Sequence, residues 1–310
     1  MTQTLIYSHS SFGSHEVPPG HVEHPGRFAA VDDALSGDDF RSIERRSAPR
    51  ADAAMIERAH PAAYRRMVEG TAPDAGLAQL DADTFMGPAS LDAALRAAGG
   101  AAAAVDALYA GEAKNAFVCA RPPGHHAEPE RAMGFCLFNS AAVAAYHARA
   151  AHGASKVAVV DFDVHHGNGT EAIFWRDEHA FFASSHEWPQ YPGTGRETDR
   201  GAFDNIVNIP LATGEGGEAF RRAWGGKALP ILSDFDPDVI IISAGFDAHR
   251  ADPLGGLDLV EDDFAWVTAE IAAVAADKCD GRVVSMLEGG YDLAALGRSA
   301  AAHVRALMAA

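Results

Sequence analysis

The sequence is poor in cysteine, poor in positive charge and free of long apolar runs. Three cysteines, Cys119, Cys136 and Cys279, occur in 310 residues, with no CxxC pair. That odd, low count excludes a disulfide framework and points to a reducing compartment. No run of about 18 apolar residues exists, so no membrane-spanning helix is expected. The first fifteen residues, MTQTLIYSHSSFGSH, lack a basic stretch followed by a long apolar one. No signal peptide is therefore expected, and the cytoplasm is the expected compartment. Lys and Arg number 25 against 43 Asp and Glu, a formal net charge of −18. Direct binding to nucleic acid is disfavoured, because neutralising phosphates takes clustered cations. Pro/Ser-rich linkers and internal repeats are also missing, so one catalytic domain over 1–310 is the simplest organisation.

What is present is an alternation of short apolar runs with longer Ala-rich stretches, the pattern of a mostly parallel sheet flanked by helices. Strands are predicted at 4–8, 116–120, 156–163, 180–185, 205–211, 238–245 and 282–289. Several are continuous and β-branched rather than alternating, as expected of strands covered on both faces. Helices are predicted at 90–112 with Ser90 as N-cap, 140–153 ending at Gly153, 261–278 and 292–309. Gly99 and Gly100 inside the first should each weaken it by about 1 kcal/mol, which close packing would explain. Polar segments follow the strands: RPPGHHAEPERAMGF, DVHHGNGT, SSHEWPQYPGTG, FDAHRADPLGG and EGGYD. In open α/β sheets ligands bind at the carboxyl ends of the strands, so these five loops are expected to converge on one site.

The stretch VAVVDFDVHHGNGT, 157–170, ends an apolar run in two aspartates and two histidines. On extended chain, residues two apart share a face, which lets Asp161, Asp163 and His165 point the same way. Carboxylate and imidazole both ligate divalent zinc. Simple loop capping by the aspartates is the alternative, disfavoured because buried carboxylates are costly unless paired or metal-bound. Gly167 and Gly169 fit a tight backbone turn. In RPPGHHA, His125 and His126 follow a constrained turn and suit acid–base work, since imidazole titrates near neutrality. In SAGFDAHRADPLGG, Asp247, His249 and Asp252 each could complete a three-ligand site, and spacing does not choose among them. In LEGGYDL, Tyr291 follows two glycines and could donate a hydrogen bond to an oxyanion. His60, His147, His152, His179 and His303 sit in helical or surface contexts and read as structural.

With RPPGHHA, GFCLFNSAAVAA, DFDVHHGNGT, YPGTG, SAGFDAHRADPLGG and LEGGYDL in this order, the chain resembles the zinc-dependent histone deacetylase family. The likeness is to its class II-like bacterial members and to acetylpolyamine amidohydrolases. It runs from HVEHPGR at 21–27 to EGGYDL at 288–293. The resemblance implies an arginase/deacetylase-like α/β fold with the site at the C-terminal ends of the strands. It also implies one Zn²⁺ per chain, held by Asp163, His165 and Asp252, which leaves Asp247 a supporting place. His126 would be the principal general base and then acid, and His125 electrostatic and orienting. Asp161 would stand behind His125, Asn168 behind His126, and Tyr291 would stabilise the oxyanion. Gly134, Phe135 and Tyr191 would line an acyl-lysine tunnel, with Leu259 near a substrate-gating position and Arg27 on an internal cavity. A structural K⁺ would take oxygens around Asp161, Asp163, His165, Ser184 and Ser185, and a weaker second site would lie near Phe174 and Asp177.

The implied partners are an acetylated lysine or another acetylated amine, with neither nucleic acid nor membrane, and with a homo-oligomer open. Protein acetyl-lysine is preferred to acetylpolyamines, because the chain has little room for the inserted loop around which the latter enzymes dimerise. Two other classes are weighed. A binuclear Mn²⁺ ureohydrolase would need a further Asp where Gly167 stands, and a silent acyl-lysine binding module would lack Tyr291 or a ligand.

Overall fold

The computed structural model describes residues 4–310. Among the described residues ten strands occur in chain order: β1 Thr4–Ser8, β2 Glu44–Ser47, β3 Ala78–Gln79, β4 Phe85–Met86, β5 Asn115–Val118, β6 Val157–Asp161, β7 Ala180–Trp188, β8 Ile206–Ala212, β9 Val239–Ala244 and β10 Val283–Leu287. Eight of them form one sheet in the order β2-β1-β5-β10-β9-β6-β7-β8, with every pairing parallel. β3 and β4 pair as a small antiparallel hairpin.

The continuous apolar runs follow from covering on both faces. Val157, Val159, Val239, Ile241, Val284 and Met286 join one buried cluster, with the helices Ser90–Tyr109 and Ser140–His152. Their neighbours Ala158, Val160, Ile240, Ile242, Val283 and Leu287 join the other, with the helices Glu261–Lys278 and Leu293–Ala309. Alternation by twos thus divides one apolar run between two cores. No helix among the described residues is long and apolar enough to cross a membrane.

The seven predicted strands all form, and β2 is the one main-sheet strand without a prediction. Its sequence, ERRS, has no apolar residue. It is an edge strand whose Arg45 and Arg46 pair with Asp32 and Glu112, a charged edge of the kind that discourages further strand pairing. At the opposite edge β8 carries Pro210, which an edge strand tolerates. Short helices such as Gly26–Ala34 and Ala62–Thr71 were likewise not predicted.

Three helix ends differ from expectation. Ala89, not Ser90, is the cap of the first long helix, because the Ser90 hydroxyl accepts the Gly87 N–H at 2.8 Å and bonds His15 Nδ1 at 2.6 Å. That helix stops at Tyr109, and Gly111 turns the chain at φ +70°. Asp292 caps the last helix through the Ala295 N–H at 2.8 Å, so Leu293 is its first helical residue.

Gly99 and Gly100 are explained by packing. A Cβ on Gly99 would overlap Pro49 O and Ala51 N, and one on Gly100 would come within 2.9 Å of Ala48 Cβ. Gly99→Ala is therefore expected to destabilise the protein by about 1–3 kcal/mol, because overpacking against backbone outweighs the helical preference of alanine. Urea unfolding of the two proteins measures it; equal or greater stability of the variant would contradict this packing.

Candidate active site

Four adjacent strands at the centre of the sheet deliver the chemistry. β5 leads into the histidine pair, β6 into the DxH segment, β9 into Asp247 and Asp252, and β10 into Tyr291. All run parallel, so their carboxyl ends open on one side.

Asp161, Asp163 and Asp247 are fully buried, and His125, His126, His165, Asn168 and Asp252 nearly so. His125 Nδ1 lies 2.9 Å from Asp161 Oδ2. A carboxylate only accepts, so Nδ1 carries the proton. His126 Nδ1 lies 2.8 Å from Asn168 Oδ1, while Asn168 Nδ2 donates to Glu128 Oε1 at 2.8 Å. The Glu128 carboxylate fixes the direction of the amide, which makes Asn168 Oδ1 an acceptor and puts the His126 proton on Nδ1. His126 Nε2 is left with a free lone pair.

Burial penalises the imidazolium of both histidines, with opposite outcomes. For His125 the carboxylates of Asp163 and Asp161 outweigh burial and hold the pKa well above the usual value. For His126 burial is reinforced by His125 and His165, and the pKa falls well below the usual value. Two adjacent imidazoles, with centroids 4.0 Å apart, are thus divided into a cation and a neutral base.

Ligand atoms of Asp163, His165 and Asp247 lie within 4.8 Å of one another. His165 Nδ1 stands 3.1 Å from both Asp163 Oδ1 and Asp247 Oδ2. One N–H cannot serve two oxygens equally well, whereas a cation between the three atoms can. Burial, then the charge of Asp163, with Asp252 adding to it, pushes the Asp247 carboxyl up to about 7. This crowding of buried carboxylates around an imidazole fits a divalent ion with nitrogen and oxygen ligands. Asp247 stands here beside Asp163 and His165, two of the three expected ligands. Asp252 is held by backbone, its Oδ2 accepting the Tyr291 N–H at 2.6 Å and the Asp292 N–H at 3.3 Å, its Oδ1 the Leu254 N–H at 3.0 Å.

A 210 Å³ pocket is lined by His126, His165, Phe135, Gly134, Tyr191 and Tyr291, together with Asp83, Gln190 and Leu254. Tyr191 stands edge-on to His126 with centroids 5.1 Å apart, and Phe135 edge-on to Tyr291 at 5.9 Å. Gly134 adopts φ +56°, and a Cβ there would enter the His126 ring. Phe135 adopts φ +69°, an unusual region for a side chain of its size, and its N–H is held by Thr84 Oγ1 at 3.1 Å. Gly167 serves close approach rather than a special turn: its φ is −74°, and a Cβ there would strike Asp161 Oδ2.

Other expected positions are corrected or refined. Leu259 is fully buried and packs in the apolar core, bridging to His249, and Leu254 takes the place on the pocket wall. Arg27 lies beneath Tyr291, its guanidinium 4.8 Å from the ring centroid. It is fixed there by donating to Gly290 O at 2.6 Å, to Glu23 Oε1 at 2.9 Å and to Glu288 O. Ser184 bonds His186 Nδ1 at 3.0 Å and Ser185 accepts the Trp224 indole N–H at 2.9 Å, so both hydroxyls are engaged. The carbonyls of Phe174 and Asp177, expected beside a second cation, accept from Asn205 Nδ2 at 3.0 and 3.2 Å.

Glu288 was not among the expected site residues. Its Oε2 accepts the backbone N–H of Gly124 at 2.6 Å and of His125 at 3.1 Å, so it sets the turn that presents both histidines. The available signal was a lone acid ending the buried run VVSMLEG, the same signal that marks Asp161. Asp83, Gln190 and Leu254 come from loops with no local pattern.

Residues 21–307 match the histone deacetylase domain. The chain belongs to the histone deacetylase family. It is 41% identical over 278 residues to a histone deacetylase-like amidohydrolase of Pseudomonas aeruginosa, covering 88% of this chain and 73% of the other. It is 36% identical to chloroplastic histone deacetylase 14 of Arabidopsis thaliana, covering 98% and 76% of the two chains. The crystal structure of the HDA15 HD domain superposes with a TM-score of 0.94 at 35% identity, over 99% of this chain and 88% of that one. The fold is accordingly that of the histone deacetylases, and membership makes the chain a hydrolytic deacetylase acting on acetylated substrates.

Proposed function

We propose that this deacetylase is a zinc-dependent amidohydrolase that removes acetyl or other short acyl groups from acylated amines, foremost acetyl-lysine in proteins or peptides. The carrying observation is the His126 ring: Nδ1 is committed to Asn168, and the free base nitrogen belongs to a residue lining the same narrow pocket as His165 and Tyr291.

Asp163 and His165 would hold the ion, with Asp252 as third ligand on the family pattern and Asp247 in a supporting place beside the same His165 nitrogen. Bound zinc supplies Lewis acidity, polarising the amide carbonyl and lowering the pKa of water. His126 Nε2 takes the proton of the attacking water and returns one to the leaving amine. His125, kept cationic by Asp163 and Asp161, opposes protonation of His126 until water gives up its proton. Tyr291, whose phenol burial holds protonated despite the pull of Arg27, donates to the tetrahedral oxyanion. Phe135 and Tyr191 flank an alkyl chain and exclude water. The whole of 1–310 would serve as one catalytic domain. A structural potassium ion would take backbone oxygens around Asp161, Ser184 and Ser185, which the pairing of β6 with β7 brings side by side. The cytoplasm is the proposed compartment, in keeping with three buried, unpaired cysteines.

Acetylpolyamines are the second reading, favoured by Asp83 on the pocket, where a carboxylate could pair with a distal ammonium. Turnover of an acetyl-lysine peptide, N-acetylputrescine and trifluoroacetyl-lysine by zinc-reconstituted protein separates the two. The peptide is expected to be cleaved with the higher kcat/KM of the two acetyl substrates; turnover of the acetylpolyamine alone would overturn the preference.

A further inference from the structure

A second set of metal-ligating side chains converges at the opposite end of the sheet, where the strands begin. The helix Ser90–Tyr109 carries Asp106 in its last turn, and the helix Ser140–His152 carries His147 and His152 near its end. Each helix leads by a short loop into the start of a parallel strand, β5 or β6, so the cluster lies away from the pocket at the strands' carboxyl ends. Asp106 Oδ1 is 2.6 Å from His147 Nε2 and 2.7 Å from His152 Nε2. The three ligand atoms lie within 4.8 Å of one another. None of these residues has a part in the deacetylation described above.

The two imidazoles aim at one point, and their rings are fixed. His152 stacks on Tyr109 with centroids 4.6 Å apart and planes 10° from parallel. His147 is buried, with Nδ1 2.5 Å from Arg58 Nη1. The Asp106 side chain is 50% exposed, so the cluster is open to solvent and the carboxylate is free to retreat.

We propose that Asp106, His147 and His152 form a second site for a late first-row divalent ion such as Ni²⁺, Cu²⁺ or Zn²⁺. Two imidazoles and one carboxylate suit these ions and not Mg²⁺ or Ca²⁺, which take oxygen ligands. Ligand bonds of roughly 2.0–2.2 Å place the ion near the spot on which both Nε2 atoms now converge, with Asp106 drawn back to its far side. Water completes the coordination on the exposed side.

The proton balance singles out Arg58. A guanidinium only donates, so His147 Nδ1 accepts from it and Nε2 bears the proton given to Asp106. Binding needs the Nε2 lone pair, so that proton must leave Nε2. A metal-bound neutral imidazole then carries its proton on Nδ1, facing a guanidinium that cannot accept it. Arg58 must swing away, and it therefore weakens binding. A filled site would tie the two helices together and would add a second ion per chain without any second catalytic ion.

Zinc-loaded full-length protein, carrying one equivalent, is titrated with Ni²⁺ by calorimetry and by thermal melting. One further equivalent is expected to bind with micromolar Kd. The melting temperature is expected to rise by roughly 4 °C at about 100 times Kd. Asp106→Asn and His152→Asn should each lose that equivalent and keep deacetylase turnover, while Arg58→Gln should bind Ni²⁺ several-fold tighter. Absence of the second equivalent in the parent protein, or its survival in both Asp106→Asn and His152→Asn, would overturn the site. Unchanged or weaker binding by Arg58→Gln would overturn the role given to Arg58.

Discussion

His126→Ala is expected to lower turnover of an acetyl-lysine peptide by about 10²–10⁴-fold, the range of a positioned acid–base group. His126 has its Nδ1 bound to Asn168 and no carboxylate partner, so the loss should leave the divalent ion in place. Burial and the neighbouring His125 and His165 keep its imidazole neutral, which is the form that accepts a proton. Steady-state kinetics beside metal analysis of the same sample tests this. His125→Ala should leave more activity, since that ring is held as a cation by Asp163 and Asp161 against burial and does not accept the proton of water. If His126→Ala kept near-parental turnover, the base would have to be another group.

Tyr291→Phe is expected to reduce kcat by about 10²–10³-fold with little change in KM, the loss associated with one oxyanion donor. The substitution removes a hydroxyl and keeps the ring that packs on Phe135 and lies over Arg27. Burial holds the phenol well above its usual pKa, so it remains a donor throughout the neutral range and its loss cannot be offset by a change of pH. A rise in KM at constant kcat would instead make Tyr291 a wall residue.

The parts legible in the sequence are those where burial and polarity collide. β6 reads as a strand because four apolar residues precede Asp161, and as a site because the next residues are ionisable groups that dislike burial. The same collision marks Asp247 after β9, and Glu288 after β10. What stayed hidden depends on long-range placement. Leu254 and Leu259 belong to one loop with similar side chains, and only the path of the chain sends one to the pocket and the other to the core. Asn205 is an ordinary polar residue until three loop carbonyls, of Phe174, Asp177 and Ala180, meet its amide. β2 is invisible because an edge strand stabilised by pairing with β1 needs no apolar face of its own. The choice between Asp247 and Asp252 is of the same kind: spacing allowed both, and the two carboxylates differ in the backbone amides that claim them.

Metal content and turnover measured together on one sample bear most directly on the central claim. Protein carrying Asp106→Asn, which removes the second cluster, is stripped with a chelator and titrated with Zn²⁺. Deacetylation should fall to background on stripping and return linearly, reaching its plateau at one equivalent per chain. Turnover that survives complete stripping, or a plateau that needs two equivalents, would contradict a single ion held by Asp163 and His165.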